Sequence, residues 1–81
     1  MTPVDVERLI SQDLPSAQVR VHSDDGTHFD ALIIAAAFTG KRPLARHQMV
    51  YAALGERMGS EIHALSLRTL TPDEWRREQA S

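Results

Sequence analysis

Apolar residues along this chain recur first at helical spacing and then at strand spacing, and the alternation between the two periods lays out the whole fold. Val6, Leu9, Ile10 and Leu14 form one stripe of a first helix. Thr2-Pro3-Val4-Asp5 reads as its start, because a threonine hydroxyl can accept from an unpaired first-turn amide and proline is tolerated there. Pro15 marks its end. Over residues 17–23 the period drops to two, with Ala17, Val19 and Val21 alternating against Gln18, Arg20 and His22, the pattern of a half-buried strand. Asp24-Asp25-Gly26 supplies turn residues before a second apolar run from Phe29 to Ala35, so these two strands are expected to pair as a β-hairpin. Residues 31–35 are apolar on both parities, which predicts cover on both faces or a central place in the sheet.

Phe38-Thr39-Gly40-Lys41-Arg42-Pro43 breaks the pattern. From Leu44 to Met58 a helical stripe returns through Val50, Leu54 and Met58, with Gly59 as the expected cap. Ile62 to Leu70 alternates as a third strand. Thr71-Pro72-Asp73-Glu74 then reads as a capping box with proline at the first helical position, opening a terminal helix through Trp75 to about Gln79. The order α-β-β-α-β-α predicts a single α+β domain over residues 1–81, with helices packed on a three-stranded mixed sheet. The third strand follows a helix rather than a tight turn, so it is expected to run parallel to its neighbour.

Composition narrows the function classes. A chain of 81 residues has room for one core, and 42% apolar with 25% charged residues is ordinary for a folded domain. No apolar run approaches the ~20 residues of a membrane helix, and the first residues lack a signal peptide's basic start and apolar centre, so the expected location is cytoplasmic. Four histidines, His22, His28, His47 and His63, stand beside no cysteine at all. This excludes disulfides, cysteine nucleophiles, thiolate zinc sites and any all-cysteine iron–sulfur site built from this chain alone. A net charge of −2 argues against a basic footprint over the whole molecule, leaving Lys41, Arg42, Arg46 and His47 as the densest local patch for phosphate contacts.

No enzymatic constellation is present. The serines sit in no glycine-flanked nucleophile turn, and no glycine-rich loop could cradle a phosphate. Asp24, Asp25 and Asp30 near His28 can be drawn as a general-base cluster, but a solvated hairpin tip has the same composition. Among the histidines, His22 shares the polar strand face with Gln18 and Arg20, where it is an exposed surface residue or a ligand. His28 follows the turn, with its ring free to face solvent or the loop. His47, beside Arg46, suits helix packing or phosphate contact better than metal. His63 shares the parity of Leu65 and Leu67, and the plainest reading is a satisfied histidine at the edge of the core. No two of them have the i, i+4 spacing of a local helical metal site.

Larger blocks carry more information than single residues. The run from Phe38 to Leu54 contains Phe38-Thr39-Gly40 and Arg46-His47; Ile62-His63-Ala64-Leu65 and Thr71-Pro72-Asp73-Glu74-Trp75 follow in order. Together they resemble the BolA family over nearly the whole chain, and the short hairpin Asp25-Gly26-Thr27-His28-Phe29 is similar to the IbaG-like branch. The resemblance implies a fold similar to class II KH domains. It also implies pairing with a monothiol glutaredoxin in iron–sulfur cluster trafficking, iron homeostasis and the stress response, through a heterodimer that holds a bridging [2Fe-2S] cluster. On that resemblance one cluster ligand is His63, and the second comes from the loop joining the first two strands, where His28 and His22 are the candidates. Glutaredoxin and its glutathione would supply the sulfur this chain lacks, while histidine replaces thiolate on one iron, as in Rieske-type sites. The protein alone is expected as a monomer or weak homodimer. The same resemblance implies an alternative, KH-like DNA binding in transcriptional regulation. KH domains clamp backbone with a G-x-x-G loop, and here Gly40-Lys41-Arg42-Pro43 has proline where the second glycine would stand. A third reading is an adaptor that docks glutaredoxin without metal.

Overall fold

The computed structural model describes residues 1–80. Thr2 caps helix α1 (Pro3–Asp13): its hydroxyl accepts from the Asp5 N–H at 3.2 Å, and the Asp5 carboxylate accepts from the Thr2 N–H at 2.9 Å. That reciprocal pair satisfies two otherwise unpaired donors, a capping box where the sequence predicts the threonine cap alone. Strands β1 (Gln18–His22) and β2 (His28–Ile34) then form the antiparallel hairpin, with Gln18 opposite Ile34 and His22 opposite Asp30. After helix α2 (Pro43–Leu54), strand β3 (Ala64–Leu70) runs parallel to β2, with His28 opposite Ala64 and Ile34 opposite Leu70. Helix α3 (Pro72–Ala80) closes the order.

The sheet order is β1-β2-β3, so β2 is the central strand, one of the two placements that its apolar residues on both parities predict. Phe29, Ala31 and Ile33 on one parity of β2 are buried with Val6 and Ile10 of α1 and Val50 of α2, all in one core. The opposite parity carries Arg20, His22, Asp30, Ser66 and Arg68, all exposed. Helix α1 is also tied to the sheet by a polar bond, the Val21 N–H donating to Glu7 Oε1 at 3.1 Å.

Two boundaries differ from the sequence expectation by more than one residue. The α2 helix ends at Leu54, not Met58, because Gly55 takes φ 58° and ψ −133°, a conformation that L side chains rarely adopt; a 3₁₀ turn at Gly55–Arg57 follows, and Gly59 lies in a later turn. The third strand begins at Ala64 rather than Ile62. Ile62 is fully buried in an isolated parallel bridge with Met58, and the chain bends at His63 before entering the ladder.

Arg46 ties three elements together. From α2 its Nε donates to the Lys41 carbonyl at 2.8 Å, Nη1 donates to the Thr69 carbonyl of β3 at 2.9 Å, and the fork grips the Glu74 carboxylate of α3 at 2.7 and 3.3 Å. The guanidinium also lies over the Phe38 ring, 5.8 Å from its centroid. Glu74 additionally completes the α3 capping box with Thr71. Hydrogen bonds from Arg46, then from the Thr71 N–H, hold its carboxyl down to about 2. Among the described residues, no helix is long and apolar enough to cross a membrane.

Candidate functional site

The turn after β1 is organised by one carboxylate. Asp25 Oδ1 accepts from the Thr27 N–H and the His28 N–H, each at 2.9 Å, and Oδ2 lies 2.7 Å from His28 Nδ1. The two backbone donors, His28 first, together with the His28 ring, hold the Asp25 carboxyl well below the usual carboxylate range. An ionised carboxylate can only accept, so His28 Nδ1 donates to it, and the neutral ring keeps its lone pair on Nε2. A carboxylate that fixes the tautomer and direction of a histidine is the usual support behind a metal-ligating ring.

His63 arrives beside this turn through the parallel ladder. Its N–H donates to the Thr27 carbonyl at 2.9 Å, and the Ala64 N–H donates to the same oxygen at 3.3 Å. His63 therefore stands on the row of Thr27, next to the row that pairs His28 with Ala64. Sheet spacings put its Cα about 6 Å from that of His28. His63 is exposed rather than at the edge of the core, because the bend places it outside β3, and its ring has no hydrogen-bond partner among the described residues.

His22 is held apart from His63 but shares a sheet face with His28, two rows away on the neighbouring strand. It lies at the end of β1 opposite Asp30, and strand spacings place its Cα about 14 Å from that of His63. Its Nε2 is 3.0 Å from Asp24 Oδ1, and both side chains are exposed. Among the described residues, no three histidine, aspartate or glutamate side chains are grouped to hold a metal ion. His28 and His63 stand in neighbouring rows, and a metal centre at either ring would need further ligands from another molecule.

The basic patch is divided. Lys41 and Arg42 are exposed at the start of α2, and His47 is half-buried on that helix. Arg46, grouped with them by sequence proximity, is 8% exposed, and its fork is committed to Glu74 and Thr69. It is a structural cation rather than a free phosphate contact. Of the acids near His28 that can be drawn either as a general-base cluster or as a solvated hairpin tip, Asp25 is the one that holds the ring, and the Asp-x-x-His spacing across a glycine turn is its local signal. The link from Arg46 to Glu74 had no local signal, since 28 positions separate the two.

Comparison with known proteins matches this chain to a family model described as BolA-like protein over residues 8–74. Its sequence is 37% identical over 78 residues to an uncharacterized protein in the rpoN-murA intergenic region of Acinetobacter guillouiae, covering 95% of this chain and 93% of that protein. It is 43% identical over 49 residues to the DNA-binding transcriptional regulator BolA of Escherichia coli, covering 60% of this chain and 47% of that protein. This chain spans between about a third and about a half of the length of several curated relatives it matches. Among solved structures, a bolA protein homologue from Coxiella burnetii superposes with a TM-score of 0.84 at 44% identity, covering 95% of this chain and 99% of that one. Its sheet of three strands, its helix order and the sequence match over residues 8–74 place this chain in the BolA family.

Proposed function

We propose that this protein supplies histidine nitrogen to a [2Fe-2S] cluster shared with a monothiol glutaredoxin and glutathione, in iron–sulfur trafficking and iron homeostasis. The observation that carries this reading is the exposed His63, with no partner for its ring, in the row next to His28, whose Nδ1 is held by Asp25. Both rings can present a neutral nitrogen, the donor a thiolate-poor end of the cluster needs, and the chain has no cysteine thiolate of its own to compete. The cluster is cargo, and glutaredoxin with glutathione provides the thiolates. Protonation of either imidazole competes for the lone pair that would bind iron, so the complex is expected to lose its cluster on acidification.

The test is to reconstitute the cluster on a mixture of this protein and a monothiol glutaredoxin. Visible absorption and circular dichroism are then compared for wild type and the His63→Ala, His28→Ala and His22→Ala variants. His63→Ala and His28→Ala should each change both spectra, and His22→Ala should match wild type. An unchanged spectrum for His63→Ala would sink the assignment.

A second reading is favoured by the exposed Lys41 and Arg42 at the start of α2, and by a relative named as a DNA-binding transcriptional regulator. In it those two cations, with His47, touch phosphates. DNA affinity should then fall with salt, and the double variant Lys41→Ala/Arg42→Ala should reduce the slope of log affinity against log salt by about 2. Binding that is absent at physiological ionic strength counts against this reading.

A further inference from the structure

The bonding phase of the parallel ladder determines which backbone groups of β3 point away from the sheet. Ala35 N–H donates to the Leu70 carbonyl at 2.9 Å, and Ala64 N–H donates to the Thr27 carbonyl at 3.3 Å. In a parallel pair, alternate residues turn both N–H and C=O toward the same neighbour. Ala64, Ser66, Arg68 and Leu70 therefore bond to β2, whereas Leu65, Leu67 and Thr69 direct theirs to the outer edge. The last of these is closed, because Arg46 takes the Thr69 carbonyl. Helix α3 is tied down at the same end by Arg68 to Glu78, at 2.8 Å to each carboxylate oxygen. At the other end, the backbone N–H and C=O of Leu65 and Leu67 have no partner among the described residues. The open stretch starts two residues after His63.

We infer that the outer edge of β3 at Leu65–Leu67 accepts an extended segment of the cluster-sharing partner, which adds a strand to the sheet and thereby places its cluster at His63. This rests on the proposed function. An added strand would find the half-buried Leu65 and Leu67 side chains on one face and the exposed Ser66 and Arg68 on the other. The matching segment alternates apolar and polar side chains, and backbone pairing supplies the register. The edge is short, which limits uncontrolled self-pairing, and it adjoins the one candidate ligand whose ring is unengaged. Docking through the edge would position His63 from the backbone, through the same ladder that ties it to Thr27.

The experiment is hydrogen exchange on the full chain, alone and in the cluster-loaded complex with a monothiol glutaredoxin, quenched and dissociated before single amides are read. In the free protein the Ser66 and Arg68 amides should exchange slowly and those of Leu65 and Leu67 rapidly. In the complex Leu65 and Leu67 should slow by about 100-fold or more. A second arm uses Leu67→Pro, which deletes an outward N–H while leaving every β2–β3 bond in place. It should weaken complex formation about tenfold, with the cluster spectrum of the remaining complex unchanged. A cluster-loaded, His63-dependent complex in which Leu65 and Leu67 still exchange rapidly overturns the strand addition and leaves the proposed function standing. Protection of these amides in the protein alone, growing with its concentration, assigns the edge to a second copy and also overturns it. Absence of any complex or cluster spectrum overturns both.

Discussion

Replacing Arg46 with methionine keeps an aliphatic stem of similar length and deletes a guanidinium that joins α2, β3 and α3. The buried acceptor that suffers is the outward Thr69 carbonyl, and leaving such a group without a donor costs about 1–3 kcal/mol. Loss of the cation over the Phe38 ring adds about 0.5–1 kcal/mol. The Lys41 carbonyl and the Glu74 carboxylate can turn to water, and removing the arginine's own desolvation offsets part of the loss. The net destabilisation is about 2–3 kcal/mol, which in a domain of this size lowers Tm by about 10–20 °C. Thermal unfolding followed by circular dichroism at pH 7 measures it directly. A pH series adds a sharper check. Glu74 has its folded-state pKa held down to about 2 against an ordinary 4.5, with Arg46 as the first cause. The unfolded chain therefore binds more protons between those values, and the contribution of Glu74, complete above about pH 5, is lost as pH falls toward 2. The methionine variant should show a shallower loss over that interval. A Tm within about 3 °C of wild type, or an unchanged acid slope, would refute the clamp and return Arg46 to the surface patch.

Three other outcomes follow from the same geometry. Asp25→Asn keeps an acceptor for the Thr27 and His28 amides but loses the charge facing His28 Nδ1, so cluster binding in the glutaredoxin complex should weaken about 10–100-fold without loss of fold, as read by titration of the visible spectrum. Ile62→Ala empties a fully buried site just before His63 and should cost about 2–5 kcal/mol in denaturant unfolding, with an unchanged midpoint contradicting its place in the core. Gly55→Ala meets open space for its Cβ but sits at φ 58°; backbone strain alone should lower stability by about 1–3 kcal/mol, and a neutral or stabilising result would deny that Gly55 ends α2.

Local interactions made much of this protein legible before any tertiary contact was known. The capping pairs Thr2 with Asp5 and Thr71 with Glu74 span three residues each, so the residues that start α1 and α3 carry their own partners. The period-two run through Val19 and Val21 and the Asp-Gly turn likewise specify the hairpin within one short stretch, and the apolar residues on both parities of β2 forecast its central position. The blocks around His63 and Trp75 carried the family. Other features depended on groups far apart in the chain, which no local pattern encodes. A central β2 puts β3 beside it, but the register of that pairing is a tertiary choice, and it sets His63 on the row of Thr27, next to the row of His28. The same packing turned Arg46 inward, because Glu74 and the Thr69 carbonyl meet it only once α3 is folded against β3. It also drew Ile62 into the core and left His63 exposed at the bend, reversing the parity argument for that histidine. Sequence by itself determined the elements and a supply of imidazole nitrogen without cysteine thiolate; tertiary structure decided which histidines occupy neighbouring rows, because register, not composition, sets which rows of two strands adjoin.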